Sequence, residues 1–140
     1  MLVIVNVFGG RDVGKSTIAM HAAAELRWSG VATALTFVGG GPQAWTEDVP
    51  DVAMRVFWCN PQTLTPHGAA ELCRGALNFL VARRKDYAWG PLRKDVEERR
   101  DAALAETLRA GHVDYKEIPG VRASVPYVVL KAREREGFGK

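Results

Sequence analysis

The residues with the clearest chemical potential form a short glycine-rich segment near the amino end. Residues 9–16 read Gly-Gly-Arg-Asp-Val-Gly-Lys-Ser, in which a lysine and a hydroxyl follow the second of two glycines spaced five apart. Gly9 and Gly14 permit backbone turns that residues with a Cβ avoid, so successive amides can point the same way. This segment, here termed the glycine loop, has the pattern of a phosphate-binding loop.

The glycine loop is predicted to bind a nucleoside triphosphate together with Mg²⁺. The nucleotide is ATP or another nucleoside triphosphate. Lys15 is expected to contact the β- and γ-phosphates as a catalytic group, and the Ser16 hydroxyl to ligate magnesium. Backbone amides and the helix dipole supply further contacts to phosphate oxygens. The residues predicted to bind the nucleotide are Gly9, Gly10, Arg11, Asp12, Val13, Gly14, Lys15, Ser16 and Thr17. The alternative is a glycine-rich turn that merely precedes a helix.

The segments on either side match the context that phosphate binding requires. Residues 2–8 are a β-branched apolar run, short enough for a buried parallel strand. Residues 17–27 follow the loop, with apolar side chains at 18, 19, 22, 23 and 26. Those positions share one face of a helix, so the pattern predicts a strand, a loop and a helix in succession.

A second informative segment, the basic loop, covers residues 83–94. It carries five basic and two aromatic side chains and a Gly-Pro break, between a predicted strand and a predicted helix. Such a loop can close over phosphates and supply arginines to developing charge. Arg83, Arg84 or Arg93 is therefore predicted to contact phosphate, with Arg83 and Arg93 as catalytic candidates. A solvated basic loop is the alternative.

The metal-positioning half of the expected site is incomplete in the sequence. Phosphate-loop enzymes usually place an acid at the end of a neighbouring strand. Here the third predicted strand is followed by Cys59 and Asn60, and a neutral amide oxygen lacks the charge that a hard cation favours. Asp51, at the opposite end of that strand, is expected on the surface. Glu47 or Asp48, in the loop of residues 39–50, is the remaining acid that could serve.

Helix and strand signals alternate along the chain. Predicted strands cover residues 2–8, 31–38, 52–58, 76–82 and 112–118, and predicted helices cover 17–27, 65–74 and 95–110. A last helix is predicted to begin at Ser124, or at Val125-Pro126, and to end near Glu136. Strands joined through helices run parallel with right-handed crossovers, so the pattern predicts a three-layer α/β sandwich with helices on both faces of a five-stranded sheet.

Several positions define the ends and faces of these helices. Thr65 is predicted as an N-cap, Asp95 as the head of a capping box, and Gly111 as the residue that ends a helix. The inner face of the helix between Asp95 and Gly111 is predicted to hold Val96, Ala103, Leu104, Thr107 and Leu108. In the last helix, Val128, Val129 and Ala132 are expected to point inward.

Bulk composition favours one globular domain over residues 1–140. Apolar residues make up 47% and charged residues 25% of the chain, without an apolar run long enough for a membrane span. The first residues lack the features of a secretion signal, so a cytoplasmic location without membrane contact is expected. Cys59 and Cys73 are expected to be free thiols. The net charge is −1 over residues 1–82 and +4 over 83–140, too mild to indicate nucleic-acid binding.

The amino-terminal motif also carries a family resemblance. Residues 7–17, with a small-residue-rich helix ending near Gly30, resemble the small ATPases of tailed bacteriophages, which are related to nucleotide kinases of the adenylate kinase type. This resemblance covers residues 3–38, and a weaker one covers 81–120. The weaker one rests on Arg83, Lys85, Tyr87, Gly90, Arg93, Asp101 and the turn at Ile118-Pro119-Gly120.

The resemblance implies strand order 2-3-1-4-5, ATP with Mg²⁺, and phosphoryl transfer to a nucleotide or nucleoside. For a phage-encoded protein it implies the host cytoplasm. The chain departs from the family after the second predicted strand, where Gly39-Gly40-Gly41 replaces the usual acidic continuation. The segment that would hold the acceptor is also shorter than in the family.

Three functional interpretations stay open. The first is an active NTPase or nucleotide-kinase-like phosphotransferase, in which Glu47, Asp48 or Asp12 is the candidate base. The second is a nucleotide-binding protein with little turnover, which orders a loop for a protein partner. The third, a nucleic-acid-linked protein using the arginine-rich carboxyl half, ranks last. Trp45 either stacks on a base or covers the sheet edge.

Overall fold

The chain folds into one parallel sheet with helices packed on both of its faces. The computed structural model describes residues 2–38, 50–57 and 64–136. The elements within these ranges are β1 (Val3–Gly9), α1 (Lys15–Trp28), β2 (Thr33–Val38), β3 (Val52–Phe57), α2 (Pro66–Cys73), β4 (Leu77–Ala82), α3 (Lys94–Ala110), β5 (Lys116–Pro119) and α4 (Ser124–Glu136).

The five strands follow the order β2-β3-β1-β4-β5, and every neighbouring pair is parallel. The predicted α/β class, the parallel sheet and the strand order are thereby confirmed. Strand β1 lies at the centre, with Val5 opposite Met54 of β3 and Leu77 of β4. Because Gly9 at the end of β1 pairs with Val81 of β4, the glycine loop and the basic loop leave the same edge of the sheet from adjacent strands.

One face of the sheet is covered by α1 and α4. Alternation along β1 places Val3, Val5 and Val7 in this core. The α1 residues predicted from their helical spacing are all buried there, namely Ile18, Ala19, Ala22, Ala23 and Leu26. The three inward residues predicted for α4 are buried as well, namely Val128, Val129 and Ala132.

The opposite face is covered by α2 and α3. Phe8 of β1 points to this side and stacks on Phe57 with ring centroids 4.7 Å apart. Leu104 and Leu108 of α3 complete this second core. Helix α2 begins as predicted, because the Thr65 hydroxyl accepts a hydrogen bond from the Gly68 amide at 3.0 Å.

A buried polar network, here termed the inner cluster, lies on the side of the sheet that faces α2. It consists of Asn6, Arg55, Cys73 and Asn78. The Asn6 amide donates to Asn78 Oδ1 at 2.9 Å and accepts from Arg55 Nε at 2.8 Å. The Asn78 amide donates to the carbonyls of Cys73, Ala76 and Asp114. Burial raises the pKa of the Cys73 thiol to about 11, which keeps the group neutral.

The start of α3 differs from the prediction. Helix α3 begins at Lys94 with Arg93 as its N-cap, without a side-chain capping bond, so the predicted Asp95 capping box is wrong. Asp95 lies inside the first turn and pairs with Arg93 and Arg99. Ala103 is exposed, whereas Glu97 occupies the inner face together with Leu104 and Leu108. The inner face is therefore rotated relative to the predicted one.

The start of β5 also differs from the prediction. Helix α3 ends at Gly111, as expected, but His112 then adopts a left-handed conformation with φ 54°. The His112 and Val113 amides donate back to the carbonyls of Arg109 and Leu108. His112 and Val113 thus close the end of the helix, and the strand begins only at Lys116.

Within the described ranges, the structure contains no helix with the length and apolar character needed to cross a membrane.

Candidate phosphate-binding site

The glycine loop joins the end of β1 to the start of α1 through two residues with positive φ. Asp12 has φ 58° and Gly14 has φ 97°. Gly14 is also the N-cap of α1, and it makes no side-chain capping bond. A Cβ on Gly9 would lie 2.7 Å from Val13 Cγ2, so the loop requires glycine there because of its tight curvature. This backbone can present successive amides to an anion at the positive end of α1.

Lys15 is buried at the first position of α1. Its side chain bends back over the loop, and Nζ donates a hydrogen bond to the Gly10 carbonyl at 2.8 Å. The residue is only 5% exposed. Burying an ammonium group costs free energy unless the group is paired, and the bond to the Gly10 carbonyl offsets part of that cost. Ser16 is half-buried and Thr17 is exposed in the same helical turn.

Arg83, the first residue of the basic loop, lies against the glycine loop. Its Nε and Nη2 donate to the two Asp101 carboxylate oxygens at 2.8 and 3.2 Å. Its guanidinium also lies 4.8 Å from the Tyr87 ring centroid and 5.1 Å from that of Trp89. Burial alone lowers the pKa of Arg83, but the bond to Asp101 and its charge more than offset this and raise the pKa. The cation is thus permanent.

The Arg83–Asp101 pair touches the loop at Gly10. A Cβ on Gly10 would lie 2.0 Å from Asp101 Oδ1 and 3.0 Å from Arg83 Nη2. A side chain at this position would therefore displace the ends of the Arg83 and Asp101 side chains, although the backbone conformation of Gly10 does not itself favour glycine. The pair fixes the relative positions of the glycine loop, the end of β4 and α3.

Arg84 and Arg93 lie in local ion pairs instead. Arg84 pairs with Asp86 at 2.7 Å and Arg93 with Asp95 at 3.3 Å. Both arginine side chains are at least half exposed. Of the three arginines predicted to contact phosphate, the structure brings Arg83 to the loop and leaves these two on the surface of the basic loop.

Tyr87 forms a second link between the two loops. Its hydroxyl donates a hydrogen bond to the Asp12 carboxylate at 2.5 Å. This bond is the main reason that the pKa of Tyr87 is raised. The link holds the middle of the basic loop to Asp12, one of the two glycine-loop residues with positive φ.

Glu97 was not singled out as a site residue by sequence reasoning. It lies in the first turns of α3 and is 2% exposed. Its Oε1 lies 3.2 Å from Arg100 Nη1 and 3.9 Å from Arg11 Nη1. The sequence does contain one signal for Glu97. Its helical spacing from Leu104 and Leu108 places it on the same, inner face of α3. A charged residue at such a position indicates either a buried ion pair or a site.

The turn between β5 and α4 supports the loop from another side. A Cβ on Gly120 would lie 2.0 Å from the Val13 carbonyl, so this turn packs directly against the glycine loop. The Gly120 amide donates to the Ala82 carbonyl at 3.2 Å, which ties the turn to the end of β4.

The other predicted site residues add no further contacts to the glycine loop among the described residues. Asp51 is exposed at the amino end of β3, as expected. Trp45, Glu47, Asp48 and the Cys59-Asn60 pair lie outside the described residues. In the part of the chain that is described, no three His, Cys, Asp or Glu side chains come together as a metal site.

Comparison of the chain with models of protein families and with curated proteins found no match. Inference about function therefore depends on the geometry of the glycine loop and of the residues around it.

Proposed function

We propose that this protein binds a nucleoside triphosphate, ATP with Mg²⁺, in the glycine loop, and acts as an NTPase or nucleotide-kinase-like phosphotransferase of the P-loop type. The observation that carries the proposal is the buried Lys15 ammonium, folded onto a positive-φ loop at the start of α1. An ammonium group at the start of a helix favours contact with an anion such as a triphosphate.

The residues present fit the triphosphate better than they fit the metal. Lys15 and the loop amides would bind the phosphates, and Arg83, with its uncommitted Nη1, would donate to a phosphoryl oxygen. Ser16 would ligate magnesium, which when bound neutralises phosphate charge. No carboxylate cluster among the described residues adds to that hydroxyl. The relation to phage ATPases and adenylate-type kinases, and the choice of ATP over GTP, stay predictions.

Titration calorimetry with Mg-ATP and Mg-GTP tests the proposal. The wild type is expected to bind ATP at millimolar concentration or tighter. Lys15→Ala should abolish measurable binding, whereas the matched control Lys116→Ala, an exposed lysine of β5, should bind as the wild type does. Absence of binding to either nucleotide at millimolar ligand would contradict the proposal.

A nucleotide-binding protein with little turnover is the second candidate. The observation that favours it is the double attachment of the basic loop to the glycine loop, through Tyr87–Asp12 and Arg83–Asp101. Nucleotide binding would rearrange these contacts and present the basic loop differently to a protein partner. Single-turnover assays with γ-labelled ATP separate the two candidates, because only a phosphotransferase moves the label to water, a nucleoside or a nucleotide.

A further inference from the structure

Two buried polar atoms beside the glycine loop have no hydrogen-bond partner among the described residues. They are Arg83 Nη1 and Glu97 Oε2. Their side chains are 7% and 3% exposed. A buried polar group without a partner loses its hydration without compensation, so folded proteins keep few of them. Such atoms in a candidate binding site indicate places where a ligand supplies the missing contact.

Contacts along the loop bring Glu97 to the side of the site. Three consecutive loop residues each contact a side chain from the basic loop or α3. Gly10 lies against Asp101, Arg11 beside Glu97 and Asp12 against Tyr87. The Lys15 ammonium is bonded to the carbonyl of Gly10, the first residue of this series. Glu97 therefore contacts the loop at Arg11, the residue next to the one that Lys15 binds.

Of the three acids at this loop, Glu97 is the one that combines burial with an oxygen that has no described partner. Both oxygens of Asp101 accept from Arg83, and Asp12, which accepts from Tyr87 through Oδ2, is exposed. Glu97 is held through Oε1 by Arg100, which leaves Oε2 as an acceptor without a described donor. A carboxylate that is fixed by one oxygen and open at the other is suited to accept a proton from a bound hydroxyl.

We propose that Glu97 is the proton acceptor of the phosphoryl transfer, and that the phosphoryl acceptor is accordingly an O–H group, either water or a nucleoside hydroxyl. This inference rests on the proposed function. An oxygen lone pair of the acceptor forms a bond to the γ-phosphorus while the bond from that phosphorus to the β–γ bridging oxygen breaks. The bond electrons leave with the nucleoside diphosphate, and the acceptor proton passes to Glu97 Oε2. An attacking phosphate oxygen of a nucleoside monophosphate would carry no proton that needs removal.

Arg11 lies beside the oxygen of Glu97 that is already bonded. Its Nη1 lies 3.9 Å from Oε1, and its side chain is 62% exposed. An anionic triphosphate in the glycine loop would attract this exposed cation.

Single-turnover assays with Glu97→Gln test the inference, with water and a panel of nucleosides and nucleoside monophosphates as acceptors. Glutamine keeps the shape and one acceptor oxygen but cannot take up the proton. Loss of a general base lowers rates by about 100- to 10,000-fold, and that loss is the expected result for water or a nucleoside. ATP affinity measured by calorimetry should be unchanged. Glu98→Gln, an exposed neighbour on the same helix, is the matched control.

The possible results separate the two proposals. A wild-type rate in Glu97→Gln, or transfer to nucleoside monophosphates alone, would overturn the role of Glu97 and leave nucleotide binding intact. So would ATP binding by the wild type without turnover on any acceptor. A wild type that binds no nucleotide would overturn both proposals. If Glu97→Gln fails to fold, Glu97→Asp keeps the charge beside Arg100 but withdraws the carboxylate by one methylene. That variant should also lose rate, and wild-type turnover in it would contradict the inference.

Discussion

Two buried polar clusters in this small protein differ in whether their hydrogen bonds are complete. In the inner cluster, Asn6 bonds both Arg55 and Asn78, and the Asn78 amide bonds three carbonyls. In the second, here termed the loop cluster and made of Arg83, Tyr87, Glu97 and Asp101, two buried polar atoms lack partners among the described residues.

This difference indicates that the inner cluster and the loop cluster have different roles. The inner cluster attaches the end of α2 to the sheet and needs nothing further, so its polar groups are structural. The loop cluster covers the glycine loop and retains unmet hydrogen-bonding capacity, which a ligand would satisfy. These unmet hydrogen bonds destabilise the nucleotide-free protein, and functional sites often retain such local destabilisation.

The largest expected effect on stability comes from breaking the inner cluster. Asn6→Leu removes the acceptor of Arg55 Nε and the donor to Asn78 Oδ1. Leaving two partly or fully buried groups without partners should lower the free energy of unfolding by about 3 kcal/mol. Urea denaturation measures the loss, and ATP affinity of the folded variant should be unchanged. A loss below about 1 kcal/mol would mean that the network is not structurally important.

The next effect comes from filling the contact between the glycine loop and α3. Gly10→Ala places a methyl group 2.0 Å from Asp101 Oδ1. The Arg83–Asp101 pair must shift, and we expect a loss of about 2 kcal/mol from overpacking. The double variant Gly10→Ala/Asp101→Ala supplies the control, because it removes the clashing carboxylate. The change in unfolding free energy caused by Gly10→Ala is measured in the wild type and in Asp101→Ala. If the two changes are equal, the contact with the Asp101 carboxylate is not the cause of the loss.

A smaller effect on stability is expected where the hydrogen bonds are incomplete. Glu97→Leu removes a buried carboxylate of which one oxygen has no described partner, and the side chains of Arg11 and Arg100 are at least half exposed and can be hydrated. Replacing such a group by an apolar one should change the unfolding free energy by less than about 1 kcal/mol. Urea denaturation of Glu97→Leu, Asn6→Leu and the wild type measures the three unfolding free energies. A loss as large as that of Asn6→Leu would show that Glu97 is a structural group.

The smallest effect is expected at the exposed link between the two loops. Tyr87→Phe removes the bond to Asp12 and should speed amide exchange in the basic loop without a measurable change in unfolding temperature. In the wild type, this bond raises the pKa of Tyr87. The stabilisation that this hydrogen bond gives the folded state is complete below pH 10, which is the pKa of tyrosine in the unfolded chain. It is lost as the pH rises through the higher pKa of Tyr87 in the folded protein. Unchanged exchange in Tyr87→Phe would show that the bond does not restrain the loop.

The sequence allowed most of the fold to be predicted because its signals are local. Apolar runs of strand length alternate with segments of helical spacing, and that alternation predicts parallel strands with helices on both faces. The strand order came from the family resemblance and is confirmed. The glycine loop is also local, and the structure places it between β1 and α1 as expected.

The loop cluster could not be predicted because it depends on tertiary packing. Acidic residues near the start of a helix are typical of capping, and residues 95–98 are interpreted from the sequence as a capping box headed by Asp95. Glu97 is buried on α3 and contacts Arg11 of the glycine loop, a residue that is distant from it in the sequence. His112 was assigned to a strand because its left-handed conformation, which ends α3, leaves no signal in the residue type.

Hydrogen exchange with and without Mg-ATP tests the central claim most directly, namely that the loop cluster is completed by a nucleotide and the inner cluster is already complete. The account predicts slower exchange in residues 10–17 and 83–101 on addition of nucleotide, with unchanged exchange around Asn6 and Asn78. Lys15→Ala should show no such protection. Unchanged exchange of the glycine loop at millimolar Mg-ATP, or protection confined to other parts of the chain, would contradict the account.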